Sequence, residues 1–476
     1  MKDRKINEQK KHSNSPPAKK VKTVKKEKGD GIKTLSGQIG RVWRLSLPAI
    51  LTQITTIVMQ YIDSAMVGSL GENASASIGL VSSTTWLFGG IIYAVSAGFS
   101  VQVAHCIGAK NERAARGVLR HGMVTGLVLS SLLCICGALL SRPLPNLLGG
   151  NEAIRSDASK YFLTFALMVP FSQMNSLSSS FLQCSGDMVT PSVLNALMCG
   201  LDVVFNAIFI PKYGVLGAGI GTAVAAAVIS LVMLWRCLFC NKSLRLRPGD
   251  GTRFDVTVLK TAFRIGLPLG IQEIAMNGAM VVSTVIIAPL GPTEIAANSF
   301  AVTAESLCYM PGYGIASAAT TLVGQSVGAG DVATAKRYGG ICTAMGAIFM
   351  GVFGVLMMVF CPYVFGILTP VEAVRTLAAQ VLRIGLLAEA FFGISIVAAG
   401  VLRGAGDTLV PGILNLASIW IVRIGSALFL VKRLGLHGMW IAMAAELCVR
   451  GILMLIRQVT SKHYALYEDG KNSLAK

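Results

Sequence analysis

The segment WRLSLPAILTQITTIVMQYIDSAMVGSL spans residues 43–70, and between Leu45 and Val67 its only charge is Asp63. The run is long enough to cross a bilayer as a helix, which takes about 20 apolar residues. A carboxylate set inside such a helix costs about 2.5–3.5 kcal/mol on insertion scales, so it needs a reason to be there, and the default reason is function. The plain alternative is an acid within a turn of the helix end that reaches interfacial water.

The rest of the chain extends this pattern. Hydrophobic residues make up 53% of the 476 and charged residues 14%, and the mean hydropathy is +0.64. A soluble domain carries roughly 25% charge. The sequence is therefore that of an all-α polytopic membrane protein, nearly all of it membrane domain. The formal net charge of +19 does not point to nucleic acid, because a net +8 of it sits in residues 1–35, a stretch with almost no apolar content. Such a tail reads as disordered and as drawn to anionic lipid on the cytoplasmic leaflet. It is not a signal peptide, since no small-residue cleavage site follows a short apolar core. The eleven cysteines read as small buried thiols without a zinc or disulfide framework.

Twelve apolar segments can be marked, at 45–67, 78–106, 118–140, 161–183, 191–210, 215–239, 263–289, 298–326, 339–360, 379–402, 410–431 and 437–456. Each reads as a transmembrane helix, the form in which a span satisfies its own backbone. Basic residues gather in the N-terminal tail, in 108–121, in 236–264 and in the C-terminal tail, whereas 68–77 and 290–297 carry none. The positive-inside rule then places both termini in the cytoplasm of a multi-pass protein of the cell inner (plasma) membrane. Lys432 and Arg433 are a local exception.

An internal repeat organises these helices. Leu47-Pro48 recurs as Leu267-Pro268, Leu70-Gly71 as Leu290-Gly291, Gly108-Ala109 as Gly328-Ala329 and Gly186-Asp187 as Gly406-Asp407. Pro191 recurs as Pro411 and Leu194-Asn195 as Leu414-Asn415, always at an offset of 220. The chain reads as two parallel six-helix copies with a cavity between them. The expected division is a basic tail over 1–40, a first lobe over 41–240, a linker over 241–260, a second lobe over 261–457 and a tail over 458–476. At an unbroken offset Asp63 faces Ser283, Asp202 faces Val422 and Glu305 faces Thr85. Positions where the copies agree read as turns and helix starts; positions where they differ are open to function.

Several stretches together resemble the multidrug and toxic compound extrusion (MATE) family of cation-coupled exporters. They are SLPAILTQITTIVMQYIDSAMVGSLG (46–71), GLPLG (266–270), AESLCYMPGYG (304–314), TTLVGQSVGAGD (320–331) and LRGAGDTLVPG (402–412). The likeness covers about residues 40–460. It implies a V-shaped, two-lobed bundle that moves organic, often cationic, compounds outward against inward H⁺ or Na⁺. Asp63 matches the family's first-helix aspartate, tied to cation coupling and drug release. In the fifth helix the family commonly shows Asn and then Asp or Asn four residues on, whereas here Asp202 precedes Asn206. Thr222 matches a sixth-helix threonine.

Spacing alone also supports a first-lobe site. Asp202 and Asn206 stand at i and i+4 on one helix face. At a rise of about 1.5 Å per residue, Asp63, Asp202 and Thr222 lie at similar depth in the outer half. Their oxygens suit a hard cation such as Na⁺, with Asp63 and Asp202 as ligands; alternatively two adjacent acids share a proton. No other cofactor is implied. In the second lobe Glu273, Glu305 and Glu389, with Met276 and Tyr309, are expected to contact a cationic small-molecule substrate, and Met280, Met310, Phe391 and Phe392 are further lining candidates. Arg383 and Arg423 also lie in apolar segments and offer charge pairing instead. Glu446 and Arg450, at i and i+4, read as a structural ion pair. His105 and His121 read as interfacial, and Pro311 as the kink of the eighth helix. There is no Gly-rich phosphate loop ending in Gly-Lys-Ser/Thr and no His-Glu-x-x-His, so the chain does not read as an enzyme. A monomeric antiporter is the expectation, with a lipid-linked-precursor flippase or a non-transporting scaffold as the alternatives.

Overall fold

The computed structural model describes residues 34–247, 255–369 and 371–465. The tail expected over 1–40 lies outside the described residues as far as 33, as do 248–254 of the linker and 466–476 of the C-terminal tail. Residues up to Arg41 and those from Val42 onward are separate units. What is described of the first is the opening of a helix. That helix starts at Leu35, inside the stretch expected to be disordered. The local sequence explains it: Leu35, Ile39 and Val42 recur at helical spacing, and the Thr34 hydroxyl accepts from the Gly37 N–H at 3.3 Å.

Twelve long helical segments follow among the described residues, and each expected apolar segment falls within one of them, save that 263–289 runs two residues past α7 into the turn Ala288–Leu290. They are α1 (Leu35–Gly68), α2 (Glu72–Gly108), α3 (Glu112–Leu140), α4 (Glu152–Cys184), α5 (Val189–Tyr213) and α6 (Val215–Cys240), then α7 (Val256–Ile287), α8 (Pro292–Gly328), α9 (Val332–Leu368), α10 (Glu372–Leu386 and Glu389–Gly404), α11 (Leu409–Leu434) and α12 (Leu436–Thr460). Among the described residues nine are long and apolar enough to cross a membrane, ten when the bent pair of α10 is taken as one span. The other two, α4 and α8, are 33 and 37 residues long but more polar. Among the described residues there is no strand.

Burial separates lipid-facing helices from internal ones. The apolar window of α2 is 72% buried, whereas those of α3, α5 and α7 are 17% buried. Leu139 and Phe429 are 74% and 76% exposed. Apolar surface on that scale is excluded from water-soluble monomers and is what a bilayer covers. The chain is a multi-pass membrane protein.

The two copies touch reciprocally. A methyl group on Gly108 would collide with the Gln325 carbonyl, and one on Gly328 would collide with the His105 carbonyl. Shifting by the repeat offset converts each contact into the other, as a two-fold relation between parallel repeats demands. The same offset relates the close approach of Gly314 to Ile50 with that of Gly270 to Ala94. After α2 and after α8 the chain turns through left-handed residues, Lys110 (φ 57°) and Gly330 (φ 73°). Both following helices carry side-chain caps: Asn111 accepts from the Ala114 N–H at 3.0 Å, and Asp331 from the Thr334 N–H at 2.9 Å. The Gly186-Asp187 and Gly406-Asp407 turns also match, with glycine φ of 95° and 84°.

The offset does not stay constant. Residues Ser418–Ile424 widen α11 into a π-helical stretch, the signature of one inserted residue. Beyond it the correspondence is longer by one: Gly214 and Gly435 share left-handed geometry, at φ 59° and 56°. Gly217 abuts the Phe209 carbonyl as Gly438 abuts that of Leu430. The place of Asp202 falls within this widened stretch, opposite Val422 and Arg423, and Ala427, beyond it, stands in the place of Asn206.

The two histidines near the turn after α2, His105 and His121, are buried, at 7% and 8% exposure. The His105 Nε2 meets the Gly404 carbonyl at 2.7 Å, and the His121 Nε2 accepts from the Asp255 N–H at 2.7 Å just ahead of α7. α8 carries Pro311 inside one continuous helix, and a sharp bend of 56° lies in α10 ahead of Glu389. All eleven cysteines are free, but Cys136 and Cys240 are exposed.

Candidate functional site

In the first lobe α1 and α5 are joined by polar side chains. The Asn206 amide donates to Asp63 Oδ1 at 2.9 Å and to Asp202 Oδ2 at 3.2 Å. Asp202 and Asn206 are 0% and 1% exposed, while Asp63 is half-buried. One buried amide thus holds two acids that are far apart in the chain. The i, i+4 spacing on α5 provides this, since it aims both polar groups at α1. Nearer the basic end of these helices, the Thr52 and Ser192 hydroxyls are 2.8 Å apart, and Ser192 also reaches the Pro48 carbonyl.

The cluster leaves two buried oxygens unmet. Asp202 Oδ1 and Asn206 Oδ1 are buried without a hydrogen-bond partner. Buried acceptors of that kind are costly unless a proton, cation or water satisfies them. Thr222 is half-buried and makes no hydrogen bond to the cluster. Its neighbour Gly221 does the positioning instead, because Asn206 Oδ1 lies where a side chain at 221 would begin. Tyr161 of α4 is a further neighbour, within electrostatic reach of both acids. Nothing in the sequence pattern singles it out, since it sits among other aromatic and aliphatic side chains.

The second lobe divides its candidates into two groups. Glu389 is fully buried, 0% exposed, with neither oxygen hydrogen-bonded. It opens the second half of α10, where the helix dipole favours a negative charge. Glu305, 4% exposed, interacts electrostatically with Glu389, Arg423 and Arg450. Those arginines are held by Glu446, Arg423 Nη2 at 2.9 Å and Arg450 Nε at 3.1 Å. The Ser418 hydroxyl donates to Glu446 at 2.9 Å. Glu446–Arg450 is thus an ion pair as expected, but inside a triad that also uses Arg423. Arg450 lies 5.2 Å over the Phe392 ring, and Tyr309 packs on that ring at 5.2 Å.

Glu273 stands apart from this network. Its stem packs on α2, 2.8 Å from where a methyl on Gly90 would be, and its charge faces Arg403. Met276, on the same helix, takes a contact from Gln272 at 3.6 Å. Arg403, Tyr93 and Tyr313 complete this second group; Arg403 and Tyr313 lie within the stretches 402–412 and 304–314, which carry the family resemblance but assign neither residue a role.

The MatE family profile matches residues 48–208 and 268–429, the first five helices of each copy. Together the two blocks cover about two thirds of the chain, and they start at the same repeat offset, on Pro48 and Pro268. The chain belongs to the MatE family. These are the multidrug and toxic compound extrusion transporters, and the resemblance seen in the motifs is family membership. A relative described as a probable multidrug resistance protein NorM, from Thermotoga maritima, is 28% identical over 438 residues and covers 88% of this chain and 92% of its own. A MATE transporter structure from Vibrio cholerae, VcmN in the bent form, superposes with a TM-score of 0.83 at 18% identity, covering 90% of this chain and 97% of that one. A Pyrococcus furiosus transporter of the MOP superfamily, described as having a binding pocket of reversed polarity, superposes equally well, with a TM-score of 0.84, 20% identity and coverage of 89% and 95%. These structures share the fold. The acid cluster of α1 and α5 lies within the first matched block, and Glu273, Glu305, Glu389 and Arg423 lie within the second.

Proposed function

We propose that this chain is a multidrug efflux antiporter, exporting organic cations in exchange for H⁺ or Na⁺ moving inward, with Asp63, Asn206 and Asp202 as the coupling site. The observation that carries the reading is the pair of unpartnered buried oxygens, on Asp202 and Asn206, beside two acids bridged by one amide. A proton shared by the acids satisfies such a set, and so does a Na⁺ ligated by carboxylate and amide oxygens. Either ligand changes how Asp63 is held. α1 packs closely on α8 around Ile50, where Gly314 meets its backbone, and nearer Asp63 a side-chain bond ties it, Tyr61 donating to the Thr303 carbonyl at 3.0 Å. Ion binding from outside acts on the part of α1 around Asp63, and a shift of that part releases the guest. Glu273, Glu305, Glu389, Met276 and Tyr309 attract and seat that guest from the second lobe.

The multidrug resistance names of the NorM relatives agree with this reading. A flippase for a lipid-linked precursor would need several free basic groups to hold a pyrophosphate, yet Arg423 and Arg450 are both committed to Glu446 and Arg403 faces Glu273. In the membrane both termini face the cytoplasm and the basic tail lies against anionic lipid. The test is efflux of a fluorescent organic cation from proteoliposomes with Na⁺ and pH gradients imposed separately. One gradient drives efflux in the parent protein, and Asp63→Asn abolishes the response while the protein stays folded. Undiminished efflux in that variant would remove Asp63 from the mechanism.

A further inference from the structure

Tyr93 and Tyr313 occupy the same place in the two copies. They are 37% and 38% exposed, although Tyr93 belongs to α2, whose apolar window is the most buried of the spans. Open aromatic surface on an internal helix faces a cleft. The two tyrosines act on each other electrostatically, and Glu273 acts on both. Only a glycine at position 90 leaves room for the Glu273 stem, so an acid is built in beside the rings at some steric cost. Two aromatic rings and one carboxylate make the recognition chemistry of an organic monocation.

That place already holds a cation. The guanidinium carbon of Arg403 lies 5.2 Å from the centre of the Tyr93 ring, and its charge faces Glu273. Arg403 forms no ion pair among the described residues, and its buried Nε has no hydrogen-bond partner. The Nε groups of Arg423 and Arg450 have no hydrogen-bond partner either, but both of those arginines have the Glu446 carboxylate at ion-pair distance, whereas Arg403 is held by the Tyr93 side chain. It stands in the last turn of α10, whose C-terminal carbonyls offer a positive charge a second resting place.

We propose that Tyr93, Tyr313 and Glu273 form a cage for the cationic head of the exported compound, and that Arg403 is a resident guanidinium which the guest displaces. This rests on the organic-cation reading above and adds the head-group site and its internal competitor. Two cations do not share one ring and one carboxylate, because like charges brought together repel. The displaced side chain swings beside Gly404, whose carbonyl meets His105 of the other copy. Guest arrival is thereby felt at the α2–α8 seam.

The test is equilibrium binding of tetraphenylphosphonium to the full chain in lipid nanodiscs, with no ion gradient. Arg403→Met keeps length and removes charge, and is expected to tighten binding by about tenfold, within the usual range of coupling between sites. Adding Tyr93→Leu to Arg403→Met is expected to erase the gain. Unchanged or weaker binding in a folded Arg403→Met protein overturns the proposal. A measurement on the parent protein guards against a variant that does not fold. Phenylglyoxal modification of Arg403, followed by mass spectrometry, is expected to speed up several-fold when tetraphenylphosphonium is bound, and an unchanged or slower rate overturns the displacement. If neither parent nor variant binds the probe, the organic-cation reading falls as well; binding that is indifferent to Arg403 sinks this inference alone.

Discussion

The two copies share a backbone plan and have opposite electrostatics at equivalent places. In the first, Asp63 and Asp202 form an acidic cluster in which the Asn206 amide donates to both carboxyl groups. In the second, Ser283 and Ala427 stand in the places of Asp63 and Asn206, and the widened stretch opposite Asp202 carries Val422 and Arg423, so both acids and the amide are gone and a positive charge stands close by. The balancing acid, Glu446, comes from α12 and is fully buried between two arginines. The cluster with unmet oxygens is suited to taking up and losing an ion. The one whose acid is saturated by arginines is suited to staying as it is. Duplication provided the frame, and one inserted residue in α11 helped the copies part ways.

The largest expected effects test that division. Glu446→Gln leaves two buried guanidinium groups facing a neutral partner. Breaking a buried pair in this way costs about 3–5 kcal/mol, so the thermal unfolding midpoint in detergent should drop sharply. Asp202→Asn removes a charge from a cluster that has no basic partner, so the same measurement should move little, by under about 1 kcal/mol. Gradient-driven efflux should instead be lost, by about tenfold or more. A stable Glu446→Gln protein, or an Asp202→Asn protein that unfolds, would invert the assignment of roles.

A middle-sized effect probes what the copies keep in common. Gly108 and Gly328 each press on a carbonyl of the other copy. Gly108→Ala and Gly328→Ala are therefore expected to destabilise alike, by about 1–3 kcal/mol through overpacking. Gly117→Ala on α3, where nothing lies within 4 Å of the added methyl, is expected to be neutral or slightly stabilising. Unequal costs at 108 and 328 would mean that the seam is not symmetric.

The helices and the duplication were readable in the residues because both rest on strong local signals. Long apolar runs fix the spans, and paired Gly-Asp and Leu-Pro steps fix the offset. The first-lobe cluster was also readable, since one acid in an apolar run and an Asp-Asn pair at i, i+4 are conspicuous. Thr222, carried over by resemblance, proved to be a neighbour of the cluster and not a member of it. The inserted residue was hidden inside an apolar run, where one more side chain changes no periodicity. Only the Gly-x-x-Gly steps at 214–217 and 435–438, one place out of register with the earlier pairs, betray it. The break before Glu389 had no proline to announce it. Arg403 and Tyr93 meet only in three dimensions, and composition is blind to such a pair.

The smallest effect is the most controlled comparison, because it sits at equivalent caps outside the spans. Asn111 caps α3 and Asp331 caps α9, each accepting from an N–H three residues on. Asp331 also accepts from the Thr334 hydroxyl at 2.6 Å. Those bonds, the hydroxyl first, hold its carboxyl below the ordinary aspartate range against a small opposing effect of burial. Replacing either cap by Ala is expected to cost about 0.5–2 kcal/mol. The two losses differ in their dependence on pH. A carboxyl whose folded value is depressed contributes its full share above its unfolded value, near 3.8, and loses it as pH falls through the lower folded one. The penalty of Asp331→Ala is thus expected to be constant from neutral pH down to about 4 and to shrink below that, while the penalty of Asn111→Ala stays flat. Unfolding midpoints of both variants and the parent, taken from neutral pH down to about 3, measure this directly. A penalty at 331 that is equally flat would mean that the cap works through the neutral acid or through Thr334 alone.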